Sequence, residues 1–518
     1  MERMDMPNGI KRLLNFIGKG IGKLSKLRAR LNGYMRSKYS ANLLAGITAA
    51  VCGALTVLML FVPNYLGMGN DSLANEKMGY YRLGYLNEDV GSENVATNSY
   101  FTRVYELTSL DRGTEFSLEN ALVGIAKAID WVFTRDRLFD IRFLALLYTL
   151  IYLPGVYLIL KAALECVKNF SEAVLLSVLG VLIFADISYI AYFNSLYADA
   201  LFYILLLYMA GSALLLRREA PYQNLYIVLL GLSSAGFCLV ARRGYLAGIV
   251  VAFFLLMHLR YFIEKRARML SVVITCFVLA ASMLSVFQVN SEFDDTGKYH
   301  AMTRGVLLQS SNPAKALENM GINASYSVLA DDSLYEYYPT TQLANPLISE
   351  VFLNSYSTAD IALFYVRHPG ALLSMWDLGV KAAVNLRRDY CGNYERGTGM
   401  PPMSKSLLCS AWSIFKMQSA PKTIGYLLVL IVIVFAASGR KLFGKHAHAQ
   451  RWDFTYFLTC VCLFAIAMAD TTYVILHSGD AQLVQFNIVL GTVMDILLYF
   501  VAAQMLHKLN VLEDKDGN

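Results

Sequence analysis

Two adjacent arginines, Arg242 and Arg243, sit in a short break between two apolar stretches. Loop charges place that break on the outer face of a membrane, whereas cationic side chains usually collect in cytoplasmic loops, so an outward pair calls for a partner. A lipid phosphate is the natural one, because guanidinium groups hold phosphate oxygens through charge-assisted hydrogen bonds. A second group gathers at Tyr192-Phe193-Asn194-Ser195-Leu196-Tyr197-Ala198-Asp199, with Asp186 and Tyr189 just upstream. Ionisable residues near membrane depth rarely occur without a function or a partner. Tyrosines alone would form an ordinary interfacial belt. Aromatic faces beside amide and carboxylate groups are what sugar recognition needs, which makes Asp186, Tyr189, Tyr192, Asn194 and Asp199 candidate substrate-binding residues.

The elements that must position these side chains follow from composition. The chain has 518 residues, 56% hydrophobic and 16% charged, with mean hydropathy +0.44, which excludes an ordinary soluble domain. A bilayer core of about 30 Å takes about 20 apolar residues per helix. Qualifying stretches are 41–64, 143–164, 172–191, 198–216, 224–241, 244–261, 269–288, 422–439, 453–475 and 484–506. The sequence thus predicts an all-α polytopic membrane protein of about 10 transmembrane helices with two large extracytoplasmic loops.

Flanking charge sets the orientation. Residues 1–40 are rich in Lys and Arg against only Glu2 and Asp5, and the connections at Lys161/Lys168, Arg217-Arg218, Arg260–Arg268 and Arg440–Arg451 are all basic. Both termini are therefore expected in the cytoplasm. The expected organisation is a basic amphipathic segment at 1–40, helices one to seven at 41–288 with a first outer loop at 65–142, an extracytoplasmic cap at 289–421, helices eight to ten at 422–507 and a cytoplasmic tail at 508–518. Ile10, Leu13, Leu14, Ile17, Ile21 and Leu24 share one face of the first segment, the pattern of a helix lying in the membrane surface.

The first outer loop opens with Met68-Gly69-Asn70-Asp71, and its residues 116–135 repeat apolar positions at helical spacing, as a helix lying along the surface would. The cap is too long to be structureless and shows helical patterns over 357–385 with a break at His368-Pro369. It offers Lys298, His300, Arg304, Arg387, Arg388 and Asp389 as further polar candidates, besides Tyr335-Glu336-Tyr337-Tyr338. Asp480 and Gln482 in the last outer turn face the same compartment, whereas Asp495, inside the last apolar stretch, is expected to bond within the bundle. Cys391 and Cys409 fall in the cap, where an oxidising space would permit a disulfide. No spacing of metal ligands occurs, although the outer acids leave room for a divalent cation.

Taken in order, the long first outer loop opening with an acid, the Tyr-Phe-Asn-Ser turn followed by an acid, the basic residue after the fifth span and the large late outer domain resemble the C-type (GT-C) membrane glycosyltransferases. Gly305-Val306-Leu307-Leu308, Asn312-Pro313 and Arg367-His368-Pro369 also look like stretches of uncharacterised bacterial members. The resemblance implies a polyprenyl-phosphate sugar donor, a glycan, lipid or wall-polymer acceptor and a bacterial plasma membrane setting; no cofactor is required by the sequence, with a divalent cation left open. It further implies that Asp71 is the catalytic base, that Arg242 and Arg243 hold the donor phosphate, and that Lys298, His300, Arg304, Asp480 and Gln482 join the substrate site. Membrane lipids are the other expected partners, and nothing calls for nucleic acid. A flippase, polymerase or transporter would share the many spans and outward basic residues. Transporters, however, favour internal repeats and midplane sites, whereas here the polar residues collect at the outer mouth.

Overall fold

The computed structural model describes residues 40–86, 99–109, 116–165, 167, 169–216, 222–262, 264–288, 295–334, 343, 345–442 and 451–516. The expected surface helix before residue 40, the Arg217-Arg218 turn, the Tyr335–Tyr338 run and the His446/His448 loop lie outside the described residues.

In chain order the elements are α1 (Ser40–Leu60), α2 (Ser72–Tyr80), β1 (Leu83–Gly84), β2 (Val104–Leu107), α3 (Leu118–Thr134), β3 (Leu138–Asp140), α4 (Arg142–Leu164), α5 (Phe170–Phe184) and α6 (Ile187–Ile190). The bundle continues through α7 (Asp199–Leu215), α8 (Gln223–Val240), α9 (Tyr245–His258) and α10 (Lys265–Val286). The late segment contains α11 (Asp295–His300), a π-helical turn at Ala301–Leu307, α12 (Pro313–Asn319), α13 (Thr358–Arg367), α14 (Pro369–Val384) and α15 (Ala411–Ser419). The chain then returns through α16 (Ile424–Leu442), α17 (Arg451–Ser478), α18 (Leu483–Phe486) and α19 (Ile488–Asp516).

Each of the ten apolar stretches is helical over most of its length, and among the described residues eight helices are long and apolar enough to cross a membrane. Counting the bent pair α15–α16 as one span raises the number to nine. The helix α7, at 17 residues, is the short one, covering about 25 Å at 1.5 Å per residue. All its residues except Tyr208 are buried, among α4, α8, α17 and α19, as expected of a helix apolar on every face. Its N-terminal Asp199 is buried as well.

The all-helical expectation gains one addition, a three-stranded antiparallel sheet in the first outer segment. The strand β2 lies in the middle, pairing Leu83 with Leu107 on one side and Tyr105 with Phe139 on the other. The expected surface helix is α3, started by Ser117, whose side chain accepts from the Asn120 N–H at 3.1 Å. It buries Val123 and Ala126 but exposes Ile125, Trp131, Val132 and Phe133, as a helix lying in a lipid interface would. The expected break in the late segment is also found. Proline at the first position of α14 halts α13 at His368, and Ser357 and Asp360 form a capping box at the start of α13.

Apart from the contacts around Asp71, two polar contacts close the late segment onto the bundle. At one, α15 turns into α16 through 110° and is pinned by two carboxylates. Asp186 accepts from the Ser413 N–H at 2.9 Å, and Asp495 accepts from Trp412 Nε1 at 3.0 Å and Lys416 Nζ at 2.9 Å. Asp495 therefore bonds to α15 as well as to Tyr189 inside the bundle. At the other, Arg304 forms a two-pronged pair with Asp480, at 2.7 and 3.1 Å, tying the π-helical turn to the connection after α17. The last helix runs on to Asp516, through most of the expected tail.

Candidate active site

A chain crossing positions the central acid. Residues 66–69 run beside 392–394, with Gly67 N–H bonded to Asn393 O at 3.1 Å and Gly69 N–H to Gly392 O at 3.0 Å. Residues 99–101 pack against both segments and leave room only for glycine at Gly67 and Gly392. A Cβ on Gly67 would lie 2.3 Å from the Phe101 ring, and one on Gly392 would lie 2.1 Å from Ser99 O. Asp71 follows this crossing as the N-cap of α2, its Oδ1 accepting from the Ala74 N–H at 3.1 Å. The helix is fixed in turn by the buried pair Lys77–Glu119 at 3.0 Å and by Lys127, whose Nζ donates to Tyr81 O at 2.8 Å.

Asp71 is 2% exposed, and its Oδ2 accepts from Arg388 Nη1 at 2.8 Å, Gln485 Nε2 at 3.0 Å and the Tyr390 hydroxyl at 3.3 Å. The other arm of Arg388, Nη2, reaches Asp199 Oδ2 at 3.2 Å and Gln485 O at 2.8 Å. Its guanidinium lies over the Tyr197 ring at 4.1 Å. Two buried carboxylates thus share one buried guanidinium. Within the cluster, Arg388 Nε and Gln485 Oε1 are buried with no hydrogen-bond partner among the described residues. Asn70 Oδ1, beside Asp71, is in the same state. Buried donors and acceptors of this kind beside a charged pair are groups that a polar ligand or water would satisfy.

Of the turn residues expected to contact sugar, Asp199 alone reaches this cluster through its carboxylate. The others are struts. The Tyr192 hydroxyl donates to Leu386 O at 3.1 Å and Asn194 Nδ2 to Leu66 O at 2.8 Å. Tyr197 receives the Asp71 N–H at 2.9 Å and donates to Gly69 O at the same distance. Tyr189 bonds Asp495 at 2.5 Å and stacks on Tyr203, while Asp186 caps α6. These polar side chains satisfy backbone and partner groups that the crossing connections would otherwise leave buried and unpaired.

The two arginines separate. Arg243 is 1% exposed, sandwiched between the rings of Phe202 at 4.3 Å and Phe486 at 4.9 Å, and its Nη1 bonds Asp470 Oδ2 at 3.3 Å and Phe486 O at 2.7 Å. The expected phosphate role therefore does not suit Arg243, whose charge is already neutralised by a carboxylate inside the bundle. Arg242 is half-buried, its guanidinium pairs with no described side chain, and its charge acts on His477. If the Arg243–Asp470 pair is structural, Arg243→Leu should abolish recovery of folded protein, and Arg243→Leu with Asp470→Leu should restore it. Removing one partner of a buried pair costs about 3–5 kcal/mol, whereas replacing both with apolar groups is often neutral. Monodispersity after detergent extraction measures this, and failure of the double variant to improve on the single one would count against it.

The remaining candidates, in the late segment and in the connection after α17, bond groups other than Asp71. His300 is fully buried, and its Nε2 accepts the Leu334 N–H at 3.0 Å. Burial, with the nearby Arg304 charge, pushes its pKa down to about 4, so the ring stays neutral and holds a loop in place of a substrate. Lys298 lies over the Tyr356 ring at 5.2 Å, Arg304 and Asp480 form an ion pair, and the buried Gln482 directly precedes α18 without capping it through its side chain. Cys391 and Cys409 are free thiols, with Cys391 packed 4.0 Å from the Tyr197 hydroxyl. Among the described residues no group of three or more His, Cys, Asp or Glu side chains could hold a metal ion.

Arg388 stood among the polar residues of the late segment in the sequence, but Tyr390 and Gln485 were not singled out. A glutamine at the start of the last apolar stretch is the one signal that marked Gln485. Comparison with curated proteins and with solved structures returns no match. A family model described as the YfdI N-terminal transmembrane domain matches residues 32–518, nearly the whole chain, and the protein belongs to that family of multi-pass membrane proteins.

Proposed function

We propose that the protein is a membrane glycosyltransferase of C-type architecture that moves a sugar from a polyprenyl-phosphate donor to an extracytoplasmic glycan, lipid or wall polymer. The observation that carries this reading is the buried Asp71 carboxylate at the mouth of the bundle, surrounded by unsatisfied polar atoms and bracketed by the first outer segment and the late one. Asp71 acts as the base. The acceptor hydroxyl replaces the Tyr390 hydroxyl, the longest of the Oδ2 bonds at 3.3 Å, and gives its proton to the carboxylate as its oxygen attacks the anomeric carbon. The bond from that carbon to the phosphate oxygen breaks, and the electron pair leaves with the lipid phosphate.

Positive charge must receive that developing anion, and Arg242 supplies it. Beside Arg242 a cavity of about 440 Å³ runs between α9, α13 and α17, lined by Tyr245, Leu246, Met468, Tyr473, Leu476 and His477 among others. Its walls suit the isoprenoid chain of the donor, and its mouth suits the phosphate. Arg243, next in sequence to Arg242, bonds Phe486 O on the short helix α18, whose Gln485 bonds Asp71. Both termini then lie in the cytoplasm of a bacterial plasma membrane.

Arg242→Ala should weaken retention of polyprenyl phosphate by about 10- to 100-fold, the worth of a lost charge-assisted hydrogen bond, without loss of folded protein. Native mass spectrometry of the purified protein with added polyprenyl phosphate reads this directly. Equal retention by wild type and variant would remove Arg242 from the donor site.

A further inference from the structure

A second cavity, of about 310 Å³, opens on the opposite side of the chain crossing, between β2 and residues 395–397. Tyr85, Tyr100 and Phe101 supply ring surface to it, and Arg103, Glu395 and Arg396 supply charge. The charged floor is rigid. Arg103 Nε bonds Glu395 Oε1 at 3.0 Å and its Nη1 bonds Asp140 Oδ2 at 3.0 Å, while Tyr100 closes one side by donating to Met400 O at 3.2 Å.

This cavity is wired to Asp71. The Tyr85 hydroxyl donates to Asn75 on α2 and accepts from Asn70 Nδ2 at 3.1 Å. Asn70, which precedes Asp71, is fully buried, and its Oδ1 has no partner among the described residues. The same Phe101 ring that lines the cavity presses on Gly67 at the crossing that sets Asp71.

We propose that this cavity is a subsite for a carbohydrate chain, the acceptor of the transfer reaction, which rests on the transferase reading above. Sugar rings carry an apolar C–H face and a rim of hydroxyls. Fixed tyrosine rings beside fixed guanidinium and carboxylate groups match both, and preorganised polar groups in a small cavity give specificity at low ordering cost. The volume lies at the lower end for ligand pockets, fitting part of a chain and not a folded partner. The cavity binds acceptor residues next to the reacting one, and the Tyr85–Asn70 bond holds the Asp71 loop in register with them.

The test is retention of the purified full-length protein on an immobilised glycan array, with Tyr100→Ala, Tyr85→Phe and a surface control, Trp131→Ala, each matched to wild type in thermal unfolding. Retention of wild type on a subset of glycans, weakened about tenfold by Tyr100→Ala and unchanged by Trp131→Ala, is expected, a tenfold loss corresponding to about 1.4 kcal/mol. With a retained glycan as acceptor, Tyr100→Ala should raise KM and Tyr85→Phe should lower kcat more than retention. No retention by wild type, or retention that neither tyrosine variant changes, would overturn the subsite. Retention that depends on Tyr100 without any sugar transfer would leave the subsite standing and remove the transferase reading instead.

Discussion

Asp71→Asn is expected to cut sugar transfer by about 10²- to 10⁴-fold, the span associated with a positioned general base, while the protein folds and keeps its lipid donor. The structure explains why this variant should be well behaved. Asparagine can still cap α2 at the Ala74 N–H, and Arg388 keeps Asp199 and Gln485 O as partners. The other carboxylate that shares Arg388, Asp199, stays paired with it in this variant. The effect should fall on kcat with little change in polyprenyl-phosphate retention, measured on protein in lipid nanodiscs. A parallel loss of donor retention and turnover would instead make Asp71 a structural cap.

Arg388→Leu is expected to destabilise the protein by about 3–5 kcal/mol, because it leaves the nearly fully buried Asp71 carboxylate without its cation. Arg396→Leu, at the exposed rim, should stay within about 0.5 kcal/mol. Denaturant titration of the two variants in mixed micelles compares them. Similar small losses for both would mean that the Asp71 carboxylate has another source of compensation, and that Arg388 does not organise the site.

The helices were legible because each long apolar run reports its own burial, and even the short α7 stood out by its lack of any polar face. The sheet was not, since strands of two to four residues at Leu83–Gly84, Val104–Leu107 and Leu138–Asp140 are too brief to show an alternating pattern. Asp71 could be found from its place at the head of the first outer loop, but its partner Arg388 is 317 residues away, and nothing local names the pairing. Its neighbours look equally good in the sequence. Arg387 turns aside to Asn393 and Ser406, and Asp389 points outward to Lys405, so that of three consecutive charged residues one enters the site. The same limit explains Arg242 and Arg243. Which of the two is used up inside the bundle depends on Asp470, 227 residues from Arg243, and on the rings of Phe202 and Phe486 that desolvate it.

The account stands or falls on whether the bond between sugar and lipid phosphate is broken. The most direct measurement reconstitutes the wild-type protein in vesicles with a panel of polyprenyl-phosphate sugars labelled separately in the sugar and in the phosphate, and adds a glycan acceptor. The expected result is sugar label on the acceptor with the phosphate label left on the lipid, and none of this with Asp71→Asn. Both labels staying on one intact lipid that merely changes leaflet would contradict a transferase and identify a carrier of lipid-linked sugar.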